Sequence, residues 1–181
     1  MPKRDRVSRL HLVAVAVATA LVAVSFAVSG FTLEAVVDAA GCLVLVAITV
    51  TDLERRIIPN RIVLPALVVA LAVQTARDPS VVWLLAALGA GGFFFAMALA
   101  YPAGLGMGDV KLAAFLGAWL GVDVVPALFL GSLLAFVPAL VILVRHGKAG
   151  RKMGIPFGPF LAGGAVIGAF AGEWLLDAWL G

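Results

Sequence analysis

The chain is a succession of long apolar runs separated by short breaks, and none of the runs alternates apolar and polar residues with the two-residue period of a membrane strand. Such runs have to be helices, because hydrocarbon leaves no other open element with its backbone groups satisfied. Spans are expected at about 10 to 29, 33 to 51, 61 to 76, 81 to 101, 109 to 121, 123 to 144 and 156 to 180. The breaks hold Gly30, Asp52 to Asn60, the Arg77-Asp78-Pro79-Ser80 turn, Gly104 to Gly108, Gly121 and the basic stretch Arg145 to Lys152. A chain that is 64% hydrophobic and 13% charged cannot coat itself for water, since soluble domains are roughly half apolar and about a quarter charged. The expected fold is therefore an all-α, polytopic integral membrane bundle of about seven transmembrane helices, one membrane domain over residues 1–181, with the lipid bilayer as its solvent.

The net charge of +3 does not point to nucleic acid, because the basic residues sit in short clusters between apolar runs with no interleaved aromatics. They read as topology signals. If all seven spans cross, 12 of the 13 basic residues fall on one side and only Arg77 on the other. If the span 109 to 121 fails to cross, the cluster from Arg145 to Lys152 lands on the wrong side. At 13 residues that span covers only about 20 Å, yet the positive-inside rule favours the crossing, with the N-terminus cytoplasmic. Trp83, Trp119, Trp174 and Trp179 then all fall at outer span ends, where indoles prefer the interface. The first span, with about 19 apolar residues, is too long for a signal-peptide core and reads as an uncleaved helix. Cys42 is the sole cysteine, which excludes an internal disulfide and a multi-cysteine metal site.

Helix packing in lipid relies on close backbone approach through small residues. Gly164, Gly168 and Gly172 make one such face on the last span, and Gly89, Gly91, Gly92, Gly117 and Gly121 are expected to serve similarly. Pro138 is expected to kink the sixth span. Among the acidic residues, Glu34, Asp38, Asp78, Asp123, Glu173 and Asp177 lie near outer ends within reach of headgroups or water. Asp52 and Asp109 differ, because one ends the second span and the other opens the fifth, both at the cytoplasmic side. Asp109 follows Gly104-Leu105-Gly106-Met107-Gly108, a backbone able to turn sharply and to let another chain approach. Pro59 and Asn60 mark a turn and a helix start that return the chain to the same face. Two carboxyls from different helices at similar depth suit an aspartic hydrolase, in which one takes a proton from water and the other polarises a carbonyl.

The segment Gly106-Met107-Gly108-Asp109-Val110-Lys111-Leu112 resembles the GxGD motif of intramembrane aspartyl proteases, in the form that marks the type IV prepilin peptidases. Asp52 with Ile58-Pro59-Asn60 resembles that family's first catalytic Asp and its loop, and Ile155-Pro156-Phe157-Gly158-Pro159-Phe160 resembles its Pro-Phe-Gly-Pro-Phe stretch. The three ordered segments lie within residues 52–162. The resemblance implies an aspartic endopeptidase that removes the short basic leader of prepilins, pseudopilins or Tad-type pilins at the cytoplasmic face of the inner membrane. Asp52 and Asp109 would be the catalytic pair, with Gly106, Gly108, Lys111, Pro59, Asn60, Pro156, Gly158 and Pro159 in support, and no metal or cofactor. Bifunctional members also methylate the new N-terminus through an extra cytoplasmic module carrying cysteine pairs. The stretch before Asp52 holds two apolar spans and no such insert, so the resemblance implies a minimal form without methyltransferase activity.

The remaining polar residues have ordinary readings. Lys111 is expected to snorkel to the interface, Glu54, Arg55 and Arg56 to form a solvated loop, the cluster from Arg145 to Lys152 to meet anionic lipid, and His11 and His146 to lie at the interface. On the residues alone two other classes stay open, a small transporter using Asp52 and Asp109 as a proton relay and a catalytically silent assembly protein of a pilus or secretion system. The identity of the substrate and the oligomeric state are not written in the sequence.

Overall fold

The computed structural model describes residues 2–102, 104–147 and 155–180. Seven α-helices follow in order: α1 (Pro2–Ser29), α2 (Leu33–Arg55), α3 (Asn60–Arg77), α4 (Val82–Ala100), α5 (Met107–Leu120), α6 (Val124–His146) and α7 (Gly158–Leu180), with a 3-10 turn, Gly121–Asp123, between α5 and α6. No strand occurs among the described residues. The protein is a multi-pass, all-α membrane bundle. By length and apolar composition six stretches can cross a bilayer, one fewer than expected. The 14-residue α5 is too short to count alone, and runs through the 3-10 turn into α6 as one 40-residue apolar stretch, Met107–His146.

Helix ends follow local chemistry. The Thr32 hydroxyl caps α2 by accepting the Ala35 N–H at 3.2 Å. At the other end α2 continues through Asp52 to Arg55, beyond the expected boundary at 51, so Asp52 lies inside the helix rather than in the break. Arg56 then takes a left-handed conformation, φ 54°, and its N–H bonds back to the Asp52 carbonyl at 2.8 Å. The Pro59 carbonyl accepts the Ile62 and Val63 N–H groups at 3.0 and 3.1 Å and starts α3.

At the centre stands α5, with nine of its 14 residues buried, which is what a helix apolar on every side requires. Close approach is bought by small residues. A Cβ at Gly91 of α4 would stand 2.9 Å from the Ala114 Cβ, and Gly117 of α5 lies against the Ala86 carbonyl. The expected face of α7 packs on α6 and the turn before it, with Gly164 against Ala127 and Gly131, Gly168 against Ala127 and Gly172 against Asp123. Gly89 and Gly92 depart from expectation, having nothing within 4 Å of where a Cβ would sit. Their side of α4 faces outward. α1 packs chiefly on α2 and keeps most of its apolar surface outward.

The Asp52 end of α2 meets the starts of α3, α5 and α7. The start of α2 meets the last turns of α3 and α5. Although only about 21 Å long at 1.5 Å per residue, α5 therefore joins the two ends of the bundle. Lys148, Arg151 and Lys152 and the side chains of Lys3, Arg4, Arg6 and Trp179 lie outside what the structure describes, as does the lipid contact expected of the basic stretch.

Candidate active site

Asp52 sits in the last turn of α2, the wrong end of its own helix for a negative charge. The mismatch is offset from outside, since its Oδ2 accepts the backbone N–H of Gly158 at 2.9 Å. Gly158 is the first residue of α7, so the carboxyl of one helix serves as the N-terminal anion of another. A Cβ at position 158 would stand 2.8 Å from that same oxygen, which only glycine avoids. Pro159 occupies the first turn of α7, where a missing N–H costs nothing. Pro156 and Phe157 lead in, and the Phe157 carbonyl accepts the N–H groups of Phe160 and Leu161 at 3.1 and 3.2 Å. The Phe157 ring lies 6.2 Å from that of Phe94 on α4.

Asp109 lies in the first turn of α5 and reaches back, its Oδ2 accepting the Gly106 N–H at 3.1 Å. That is one half of a capping box, the other half being impossible because Gly106 has no side chain. Asp109 is half-buried and Asp52 is 6% exposed, and the two carboxyls lie within electrostatic range of each other. Gly108 brings the α5 start onto the loop after α2, for a Cβ there would stand 2.9 Å from the Ile58 Cβ. Residues 57 apart in sequence thus come together, with each carboxyl oriented by a backbone N–H.

Lys111 adds a bond that the snorkelling expectation did not include. Its ammonium donates to the Asn60 side-chain oxygen at 2.8 Å, tying the segment after Asp109 to the start of α3. Glu54 likewise belongs to α2 rather than to a free loop, and one of its carboxylate oxygens lies 3.7 Å from His11 Nδ1. His146 Nδ1 lies 3.2 Å from the Ile142 carbonyl oxygen. Among the described residues no group of three or more His, Cys, Asp or Glu is placed to hold a metal ion.

Two residues read as surface groups are more enclosed than that. Trp119 is 2% exposed rather than interfacial, and its indole N–H donates to Asp38 Oδ1 at 3.2 Å. Asp123 is half-buried, and its Oδ1 is buried with no hydrogen-bond partner among the described residues. Sequence reasoning also missed Gln74, 5% exposed, whose amide donates to the Trp119 carbonyl at 2.6 Å. The signal was present, since Gln74 is the sole glutamine of the chain and stands within an apolar run.

Fold and site together define a class, a helical membrane protein with two carboxyls from different helices gathered at one end of the bundle. Residues 39–144 match the type IV leader peptidase family. The chain belongs to that family. It is 31% identical over 181 residues to a prepilin leader peptidase/N-methyltransferase of Bacillus subtilis (strain 168), covering 97% of this chain and 71% of the relative. A protein of the same description from Legionella pneumophila is 29% identical, over 84% of this chain and 55% of the relative. A third, from Aeromonas hydrophila, is 34% identical over 66% of this chain and 43% of the relative. The chain thus spans between about two fifths and seven tenths of the length of these relatives. No solved structure matches it.

Proposed function

We propose that the protein is an intramembrane aspartic endopeptidase that removes the short basic leader of prepilin-like or pseudopilin precursors at the cytoplasmic face of the inner membrane. The observation that carries this reading is the meeting of Asp52 and Asp109, each held by a backbone N–H, in a member of the leader peptidase family. Two neighbouring carboxyls titrate as a pair, one holding the shared proton. The ionised member draws a proton from water, whose oxygen attacks the scissile carbonyl, while the protonated member donates a hydrogen bond to the carbonyl oxygen. Collapse of the tetrahedral intermediate returns a proton to the departing amine. No metal or cofactor takes part.

The sidedness follows from the charge pattern. The dyad end of the bundle carries Arg55, Arg56, Arg61 and Lys111, and the opposite end Arg77, so the N-terminus is cytoplasmic. A precursor with a charged leader in water and an apolar segment in lipid presents its scissile bond at that interface. The test is co-expression with such a precursor in a host without another prepilin peptidase, read as the mobility shift from precursor to mature form. The wild-type chain processes the precursor and a well-inserted Asp109→Asn variant does not. Full processing by that variant would falsify the assignment.

A further inference from the structure

The end of α5 remote from the dyad holds a polar assembly that the reaction above does not use. Trp119 lies in the last turn of α5, where carbonyls lack partners from their own helix. Its carbonyl is taken by the buried amide of Gln74 on α3 at 2.6 Å. The other end of that amide accepts from the Arg77 guanidinium at 2.8 Å. The Trp119 indole N–H is held by Asp38 on α2 at 3.2 Å. The indole lies flat on α2 at Gly41, where a Cβ would stand 2.7 Å from Trp119 Cδ2, and stacks on Phe115 with 6.0 Å between ring centroids. Backbone and side chain of one residue are thus fixed to two different helices.

The apolar surface of α5 gives this assembly its importance. Hydrophobic burial supplies no force between helices in lipid, and the middle of α5 packs only apolar groups on its neighbours, the large Leu112, Phe115 and Leu116 beside the small Ala113, Gly117 and Ala118. Apolar packing opposes sliding and rotation without naming a partner for either, whereas hydrogen bonds with direction define both. Trp119 and Asp109 are ten residues apart on one short helix, about 15 Å at 1.5 Å per residue, so a slip at one end arrives undiminished at the other.

We propose that Gln74 and Asp38 are positioning residues, which fix the depth and rotation of α5 through Trp119 and so set Asp109 against Asp52. The inference rests on the peptidase reading, and the test separates the two. Purified full-length chain in detergent is assayed with a synthetic precursor segment carrying a basic leader, a glycine and an apolar run. Wild type is measured first, and failure to cleave overturns the peptidase reading and this inference with it. With wild type active, Gln74→Leu, which removes the amide at similar volume, lowers kcat about tenfold or more with KM unchanged, as expected of a catalytic group displaced by a fraction of an ångström to an ångström. Asp38→Leu does the same. Asp38→Asn keeps an oxygen for the indole N–H and restores wild-type kcat. Should Gln74→Leu fail to accumulate, the two Asp38 variants carry the test alone. Wild-type kcat in Asp38→Leu, or a loss that Asp38→Asn does not recover, overturns the proposal.

Discussion

The two ends of α5 are built from the same kinds of bond and do different work. At the dyad end, Asp109 caps the helix from within and Lys111 ties it to Asn60 of α3, yet Asp109 stays half-exposed. At the far end, Trp119 is tied to Gln74 of the same α3 and to Asp38 of α2, and is 2% exposed. One helix, α3, therefore grips α5 at both ends. The contrast teaches that a carboxyl can be left half-exposed when the element carrying it is fixed elsewhere.

The comparison breaks most severely at Gly158, because only the dyad end depends on a backbone N–H from a third helix. Gly158→Val puts branched carbon where the Asp52 carboxyl rests, and kcat for precursor cleavage falls about a hundredfold. Insertion, followed by yield in the membrane fraction, stays normal. A smaller effect is expected at the bond between Lys111 and Asn60. Interhelical hydrogen bonds in membranes contribute about 0.6 kcal/mol on average and up to about 1.7, so Lys111→Met lowers kcat by about threefold to twentyfold. Glu54→Gln, which alters a 3.7 Å contact with His11 at that end, stays near wild type in the same assay. A Lys111→Met loss as large as that of Gly158→Val would shift Lys111 from support into the chemistry.

What was readable divides along the same line. The helices are legible because lipid imposes one rule on every residue of a span, and all seven helices fall where the apolar runs lie. The dyad end is legible because its residues come in contiguous segments around Asp52, Asp109 and Gly158. The role of Gly158 was not, since a backbone N–H has no letter in a sequence. The far end was hidden for a different reason: Asp38, Gln74 and Trp119 are single residues on three helices, and an indole near a span end looks the same whether it faces headgroups or α2. Helix rotation decides between those, and only packing fixes it. Asp123 shows the same blindness, one of its carboxylate oxygens being buried beside Gly172. The count of crossings also depended on packing, because α5 reaches both ends of the bundle at 14 residues only with its surroundings supplying the rest.

The central claim is that Asp52 and Asp109 act as one unit, and the direct measurement is kcat for Asp52→Asn, Asp109→Asn and the double variant on the same precursor segment, each purified and shown to be folded. Residues that share one step are strongly non-additive. The account predicts that either single change removes cleavage to the background of the assay and that the double variant is no worse. Substantial cleavage by either single variant, or losses that multiply in the double, would contradict it.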